Sequence, residues 1–247
     1  MKKEKIVSTI LDILYPRRCP LCGEILSKKN LTVCEFCRQS VNLVSEPFCM
    51  KCGKPIRNRE QEYCQDCESH AHSFLEGRAA FPYTGKIQKS ILNLKLHNCR
   101  SYGQFFSGAM AAVFKHYEIR WQIDIICPIP LHRRKRKFRG FNQAELLAKP
   151  IGEAFSIPVI PDLLVKTEET RDQKNLDRKT RQKNLKKAFK IGPHDVKLKR
   201  ILLVDDIYTT GSTIDAAASV LKEAGASEVF FLTACIGTEK DEGETFQ

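Results

Sequence analysis

The stretch Ile201-Leu202-Leu203-Val204-Asp205-Asp206-Ile207-Tyr208-Thr209-Thr210-Gly211-Ser212-Thr213 constrains this chain more than any other. Four apolar residues run without alternation into two adjacent acids, and a hydroxyl- and glycine-rich turn follows. A short, β-prone run with no polar alternation reads as a strand buried on both faces, as in a parallel sheet. Ile214 to Ala224 then reads as a helix. The turn therefore lies at the carboxyl end of a sheet strand, where open α/β folds place ligands. Thr209, Thr210, Gly211, Ser212 and Thr213 offer backbone N–H groups, hydroxyls and a helix N-terminus, a combination suited to a phosphate. Asp205 and Asp206 repel a phosphate. They suit sugar hydroxyls, as hydrogen-bond acceptors, or a nearby Mg²⁺. A phosphorylated sugar is the first ligand expectation.

Eight of the eleven cysteines fall in four C-x-x-C pairs, Cys19/Cys22, Cys34/Cys37, Cys49/Cys52 and Cys64/Cys67, which recur every fifteen residues. Each pair can form a knuckle that aims two thiolates at one zinc, so eight thiolates fill two closed four-cysteine sites. Sequential pairing is the simplest topology, and interleaved pairing stays open. Gly23, Gly53 and Pro55 in the short intervening loops fit a zinc-ribbon-like module. So small a module needs its metal to fold, and disulfides are the rival reading. Cys99, Cys127 and Cys235 stand alone and read as small hydrophobes. With the ligand places filled, His70 and His72 read as surface residues.

The N-terminal residues 4–15 carry Ile6, Ile10, Ile13 and Leu14 at helical spacing, which predicts an amphipathic helix ending before Pro16. It could dock on the rest of the protein or, less simply, on a membrane surface. No signal peptide and no membrane span are read, so the cytosol is the expected compartment. There, paired cysteines hold metal more often than disulfides. Beyond Phe74, Arg78 to Tyr83 reads as a strand, Gly85 opens a helix with Ile87, Ile91 and Leu94 on one face, and another helix spans Tyr102 to Tyr117. Ile123 to Cys127 is a second buried strand. The run His132 to Gln143 is read as a basic, mobile loop at the same sheet edge as the two acids, followed by a helix from Ala144 to Phe155. The formal charge of +12 favours an anionic ligand or polyanionic partner. Residues 166–187 are polar and basic, a length of connection that usually forms a lid or is disordered. Val229 to Ala234 is a further buried strand, and residues 239–247 read as an acidic tail.

In this order the pieces resemble the ComF family, bacterial competence-associated proteins built on a type I phosphoribosyltransferase fold. The resemblance covers nearly the whole chain. It rests on the C-x-x-C array after Leu14-Tyr15-Pro16-Arg17-Arg18, on Pro128-Ile129-Pro130-Leu131-His132-Arg133-Arg134 and on Arg139-Gly140-Phe141-Asn142-Gln143. Gln173 and Leu176, then Arg181, Asn184 and Phe189, and the Val204 to Thr213 motif complete it. The resemblance implies an α/β fold, a parallel sheet flanked by helices, with a small N-terminal zinc-ribbon module whose metal ligands are four cysteines per site. The expected division is an amphipathic helix at 1–16, the double zinc ribbon at 17–72, the phosphoribosyltransferase-like domain at 73–237 and a tail at 238–247. By similarity, Asp205 and Asp206 would face the 2′- and 3′-hydroxyls of phosphoribosyl pyrophosphate (PRPP), and Thr209 to Thr213 would wrap its 5-phosphate. Arg133 to Arg139 would lie on the pyrophosphate side, Arg181 and Asn184 in a mobile lid, and Mg²⁺ would accompany PRPP.

The family role this implies is natural transformation. The protein would handle incoming single-stranded DNA on the cytoplasmic side, at the uptake machinery, with a helicase-like competence ATPase as partner. Lysines and arginines would grip phosphates, with Phe138 and Phe141 as candidate stacking aromatics. Two rivals stand beside it. One is a working phosphoribosyltransferase with an unidentified acceptor, whose pocket the residue types do not locate. The other is a zinc-dependent adaptor with an inactive ligand domain.

Overall fold

The computed structural model describes residues 16–28, 30–167 and 187–238. The predicted N-terminal helix, the 168–186 part of the expected lid with Arg181 and Asn184, and the tail from residue 239 lie outside the described residues.

The centre is a four-stranded parallel sheet in the order β1 (Glu76–Pro82), β6 (Glu228–Ile236), β5 (Arg200–Tyr208), β2 (Ile125–Pro128). A single further parallel pairing, Ile126 with Val159, extends it beyond β2. The unalternating runs follow from burial on both faces. On one face Leu202, Val204, Phe230 and Leu232 pack under α3 (Gly85–Leu96), α4 (Gly103–Lys115) and α7 (Gln143–Phe155), with Ile91, Leu94, Phe106, Met110, Leu147 and Ile151 at zero exposure. On the other, Ile201, Leu203, Val229 and Phe231 pack against Ile214, Ala217 and Leu221 of α8 (Ser212–Glu223). A two-stranded antiparallel hairpin, β3 (Leu164–Lys166) with β4 (Phe189–Ile191), joins this second core through Leu164 and Phe189.

The second core does not stop at the sheet. It continues through Phe74 into Cys49, Cys52, Ile56 and Cys64, so one ribbon serves as part of the layer covering the sheet. The Phe74 ring meets Phe231 edge-on at 4.9 Å, and Phe231 stacks on Tyr208 at 4.5 Å. The backbones approach closely at Gly53 and Gly77. A Cβ at Gly53 would lie 2.9 Å from the Gly77 carbonyl oxygen, and one at Gly77 would enter the Phe231 ring at 2.0 Å. Buried Arg78 ties the layers together, donating to the Tyr117 hydroxyl at 2.8 Å and to the Met50 carbonyl at 3.1 Å.

Two expectations are corrected. Arg133–Arg139, read as a mobile loop, is a short helix, α6. The His132 ring caps its start, and Gly140, at φ +73°, ends it in the left-handed conformation that glycine adopts without steric cost. A charge run can be helical when its cations stay exposed, as Arg133 to Lys137 do here. His72, read as a surface residue, has a side chain only 1% exposed, 3.5 Å from Asp215 and stacked at 4.7 Å on Phe74. The chain between the ribbon and β1 tucks beneath the start of α8, where Asp215 accepts the Ser73 N–H at 2.6 Å.

Candidate functional site

The strand carrying the acids is longer than its apolar run. β5 stays paired with β6 as far as Tyr208 opposite Ile236, so Asp205 and Asp206 sit within the strand. Thr209 and Thr210 then turn the chain into Gly211, which precedes α8 at φ +73°. Gly211 is required twice over, because a Cβ there would also lie 2.4 Å from the Tyr208 hydroxyl. Thr209 and Thr210 are exposed, Ser212 and Thr213 half-buried, and the Thr210 and Ser212 hydroxyls lie 2.9 Å apart. Gly211, at the N-cap of α8, has no side chain with which to cap it. The first N–H groups of α8 and these hydroxyls gather hydrogen-bond donors at the end of β5.

The two acids are not equivalent. Asp206 is 4% exposed and lies 3.0 Å from the Lys95 ammonium, from the last turn of α3. It also accepts the Gln143 side-chain N–H at 3.1 Å. Burial opposes the charge on Lys95, but Asp206 and Asp205 outweigh it and raise its pKa above the ordinary lysine value. Asp205 is half-buried and accepts the Asp206 N–H at 2.8 Å. Burial and the adjacent Asp206 charge push its carboxyl up to about 7, against the pull of Lys95 and Lys166.

Neither Lys95 nor Gln143 was given a role by sequence reading. Lys95 lies four residues after Ile91, on the stripe that faces the sheet, and a lysine on an apolar stripe is the signal that could have found it. Gln143 is held by its neighbour. Asn142 caps α7 by accepting the Ala144 N–H at 3.1 Å and donates to the Ile129 carbonyl at 3.0 Å, which pins the first turn of α7 beside the exit of β2.

Of the arginines singled out, Arg139 comes close enough to Lys95 for its charge to act on that ammonium. Its Nη1 is buried with no hydrogen-bond partner among the described residues. Arg133, at the far end of α6, is exposed. Phe138 is 89% exposed among the cations, whereas Phe141 is half-buried beneath the Arg100 guanidinium, 4.6 Å away.

The eight paired cysteines form two clusters, Cys19/Cys22/Cys34/Cys37 and Cys49/Cys52/Cys64/Cys67, with all four sulfurs of each within 4.8 Å of one another. The pairs thus combine sequentially. Both clusters are built alike. Gly23 donates to Cys19 and Gly53 to Cys49 at 2.9 and 2.8 Å, both glycines at positive φ. Cys34 and Cys64 each start a single-turn helix, α1 (Glu35–Gln39) and α2 (Gln65–Ser69), which presents the fourth thiol one turn on. The 3.7 Å separations of Cys22 from Cys34 and of Cys52 from Cys64 match the edge of a tetrahedron with ~2.3 Å metal–sulfur arms. The donor set therefore fits a tetrahedral thiophilic metal. The clusters differ in shelter, since Cys22 is exposed whereas Cys49, Cys52 and Cys64 are buried.

Comparison with known proteins adds two family matches, a double zinc ribbon domain over residues 10–68 and a phosphoribosyl transferase domain over residues 149–245. Competence protein F of Haemophilus influenzae is 27% identical over 219 residues, 86% of this chain and 93% of its own. Competence protein ComFC of Bacillus subtilis is 24% identical over 234 residues, 90% of each chain. DNA utilization protein YhgH of Escherichia coli K12 is 26% identical over 220 residues, 88% and 96%. Among solved structures, a purine phosphoribosyltransferase from Pyrococcus horikoshii overlaps 58% of this chain and 95% of its own at 13% identity. Its TM-score is 0.35, too loose an overlap for any statement about the site to rest on it.

Proposed function

We propose, for a chain that belongs to the ComF family of double-zinc-ribbon proteins with a phosphoribosyltransferase-like domain, that the sheet-edge site binds PRPP with Mg²⁺ while the protein handles single-stranded DNA during uptake. The observation that carries the ligand reading is a hydroxyl-lined turn and an acid pair at the end of one strand, with Arg139, whose Nη1 has no partner among the described residues, near enough for its charge to act on Lys95 beside Asp206. Donors suit a phosphate, acids suit hydroxyls, and a buried guanidinium N–H needs an acceptor, which an anion supplies. A phosphorylated ribose with a second anionic end supplies all three.

In this reading the N–H groups from Gly211 onward, with the hydroxyls of Thr209 to Thr213, hold the 5-phosphate. Asp205 and Asp206 lie on the hydroxyl side, and Arg139 lies on the pyrophosphate side. Arg133 and Arg181 are proposed to extend that side. Mg²⁺, when bound with PRPP, would neutralise pyrophosphate charge. The two cysteine clusters are proposed to hold zinc, and they maintain the ribbons that pack on β1.

The DNA part is supported by the names of the relatives and by the exposed cations of α6 around Phe138. The proposed setting is the cytoplasmic side of the uptake machinery, with a competence helicase ATPase as partner. No helix among the described residues is long and apolar enough to cross a membrane. Calorimetry with PRPP, with and without Mg²⁺, tests the ligand. Binding should be abolished by the double substitution Asp205→Asn, Asp206→Asn, with single-strand binding retained. No heat of binding from the wild type would sink the ligand reading, and no single-strand retention on filters at low salt would sink the DNA reading. A second reading, transfer of the phosphoribosyl group to an unidentified acceptor, is favoured by the acid pair and phosphate turn being present together. Pyrophosphate release with a broad acceptor panel tests it.

A further inference from the structure

The described chain ends at Thr238, at a place the sheet fixes. β6 finishes at Ile236 opposite Tyr208, and the Gly237 N–H donates to the Tyr208 carbonyl at 2.8 Å. Residue 239 therefore starts at the carboxyl edge of the sheet. Nine residues follow, Glu239-Lys240-Asp241-Glu242-Gly243-Glu244-Thr245-Phe246-Gln247, with four acids against one lysine. The strands of the central sheet are parallel, so β2 ends at the same edge, and α6 begins five residues after it. Only β5 stands between β6 and β2. Two strand spacings are about 10 Å, whereas nine extended residues span about 30 Å. The acidic segment is long enough to reach α6.

α6 is short of anions. Six of its seven residues are Arg or Lys, no acid stands in its first turn, and its like charges at i,i+3 and i,i+4 repel one another. Glu145 lies 3.6 Å from Arg136 but is shared with Lys149 at 2.9 Å. Arg133, Lys135 and Lys137 are exposed and have no ion-pair partner among the described residues. Phe138 stands 89% exposed in their midst.

We propose that residues 239–247 dock on α6, their carboxylates on its cations and Phe246 against Phe138, and that they shield this helix from nucleic-acid phosphates until a strand displaces them. The tail is then a competitor within the same chain, at an effective concentration of about a millimolar because its tether is short. The docking stands on reach and charge; the shielding rests on the reading of α6 as a grip for single strands.

The experiment compares the full chain with a chain ending at Thr238 and with a full chain carrying Glu239→Gln, Asp241→Asn, Glu242→Gln and Glu244→Gln. Carbodiimide, which joins a carboxylate to an amine it touches, should link the tail of the full chain to Lys135 or Lys137 within the monomer, as mapped by mass spectrometry. Filter binding of oligo(dT) at low salt should be roughly 3- to 30-fold tighter for both variants, the gain from freeing a helix that a tethered competitor mostly occupies. The gap should close as salt rises. Net charge alone would act from anywhere on the surface, so a control replaces three exposed acids elsewhere, Glu60→Gln, Glu118→Gln and Asp195→Asn, and should not reproduce the gain. Links from the tail only to other lysines, or none, would overturn the docking. Equal affinities, or a control that matches the deletion, would overturn the shielding. If no chain retains oligo(dT), the single-strand reading falls and the shielding with it, while the cross-links still decide the docking.

Discussion

Replacing Asp205 with asparagine should stabilise the ligand-free protein, increasingly so as pH rises. The carboxyl is raised from 3.8 to about 7 in the folded state, mainly by burial and by the charge of Asp206. A raised acid costs nothing below its unfolded pKa, because both states are then protonated. The cost grows as pH climbs toward the folded value and is complete above it. About three units correspond to about 4 kcal/mol at pH 8, and about 2 kcal/mol of that is already present at pH 5.5. Asp205→Asn removes the charge and with it the penalty. Its advantage over the wild type should therefore widen by about 2 kcal/mol between pH 5.5 and pH 8, a gap of roughly 4–8 °C in Tm for a chain of this size. The window stops at pH 5.5 because thiolate ligands release metal in acid. Paired thermal melts at several pH values, without PRPP or Mg²⁺, give the reading. Parallel profiles, or a gap that narrows with rising pH, would refute the argument. Asp206→Asn should act in the opposite sense, because it leaves the Lys95 ammonium without its buried partner, a loss of about 3 kcal/mol.

Other outcomes follow from packing and charge. If both clusters hold zinc, its thiol-reactive displacement, followed with a chromogenic chelator, should be biphasic. The exposed Cys22 cluster releases first, and the buried Cys49 cluster releases only with loss of the cooperative thermal transition. A single phase would contradict the difference in shelter. Gly77→Ala should cost about 1–3 kcal/mol by driving a methyl into Phe231, whereas Gly108→Ala, whose Cβ meets nothing within 4 Å, should be neutral or gain up to about 1 kcal/mol. Equal melting shifts would show that the close approach is relaxed in solution. If α6 grips single strands, Arg133→Ala should lower the slope of log K against log salt by roughly 0.7, while Phe138→Ala should weaken binding by about 1–3 kcal/mol at an unchanged slope. Filter binding across a salt series separates the two.

The legible parts of this protein are those whose physical cause is local. Ile201 to Val204 announce a central parallel strand because burial on both faces removes alternation, and the fifteen-residue cysteine period announces two four-thiol clusters because a knuckle needs its pair adjacent. Gly211 is legible for the same reason, as the turn it makes is written in its neighbours. Lys95 and Gln143 are different. Each meets Asp206 across a long stretch of chain, and nothing near either residue states that the acid is there. The basic run misled because charge predicts solvation, and α6 is solvated and helical at once. His72 misled because the filled ligand places left it no metal role and so suggested surface, whereas Phe74 and Asp215 draw it inward.

The second cysteine cluster shares its packing with Phe74, Phe231 and Tyr208, and Tyr208 lies directly beneath Gly211 of the turn that leads into α8. A chain cut just before Phe74 would strip a layer from the sheet and expose the aromatic floor of that turn. The first ribbon is also anchored, with Leu21 and Val41 packed on the core of the opposite sheet face and the Val44 N–H donating to the Ala80 carbonyl at 2.9 Å, so a fragment meant to keep the sheet covered should retain both ribbons. Occupancy of the second cluster by metal is then also a condition on the shape of the turn, felt through the stacked rings that separate them.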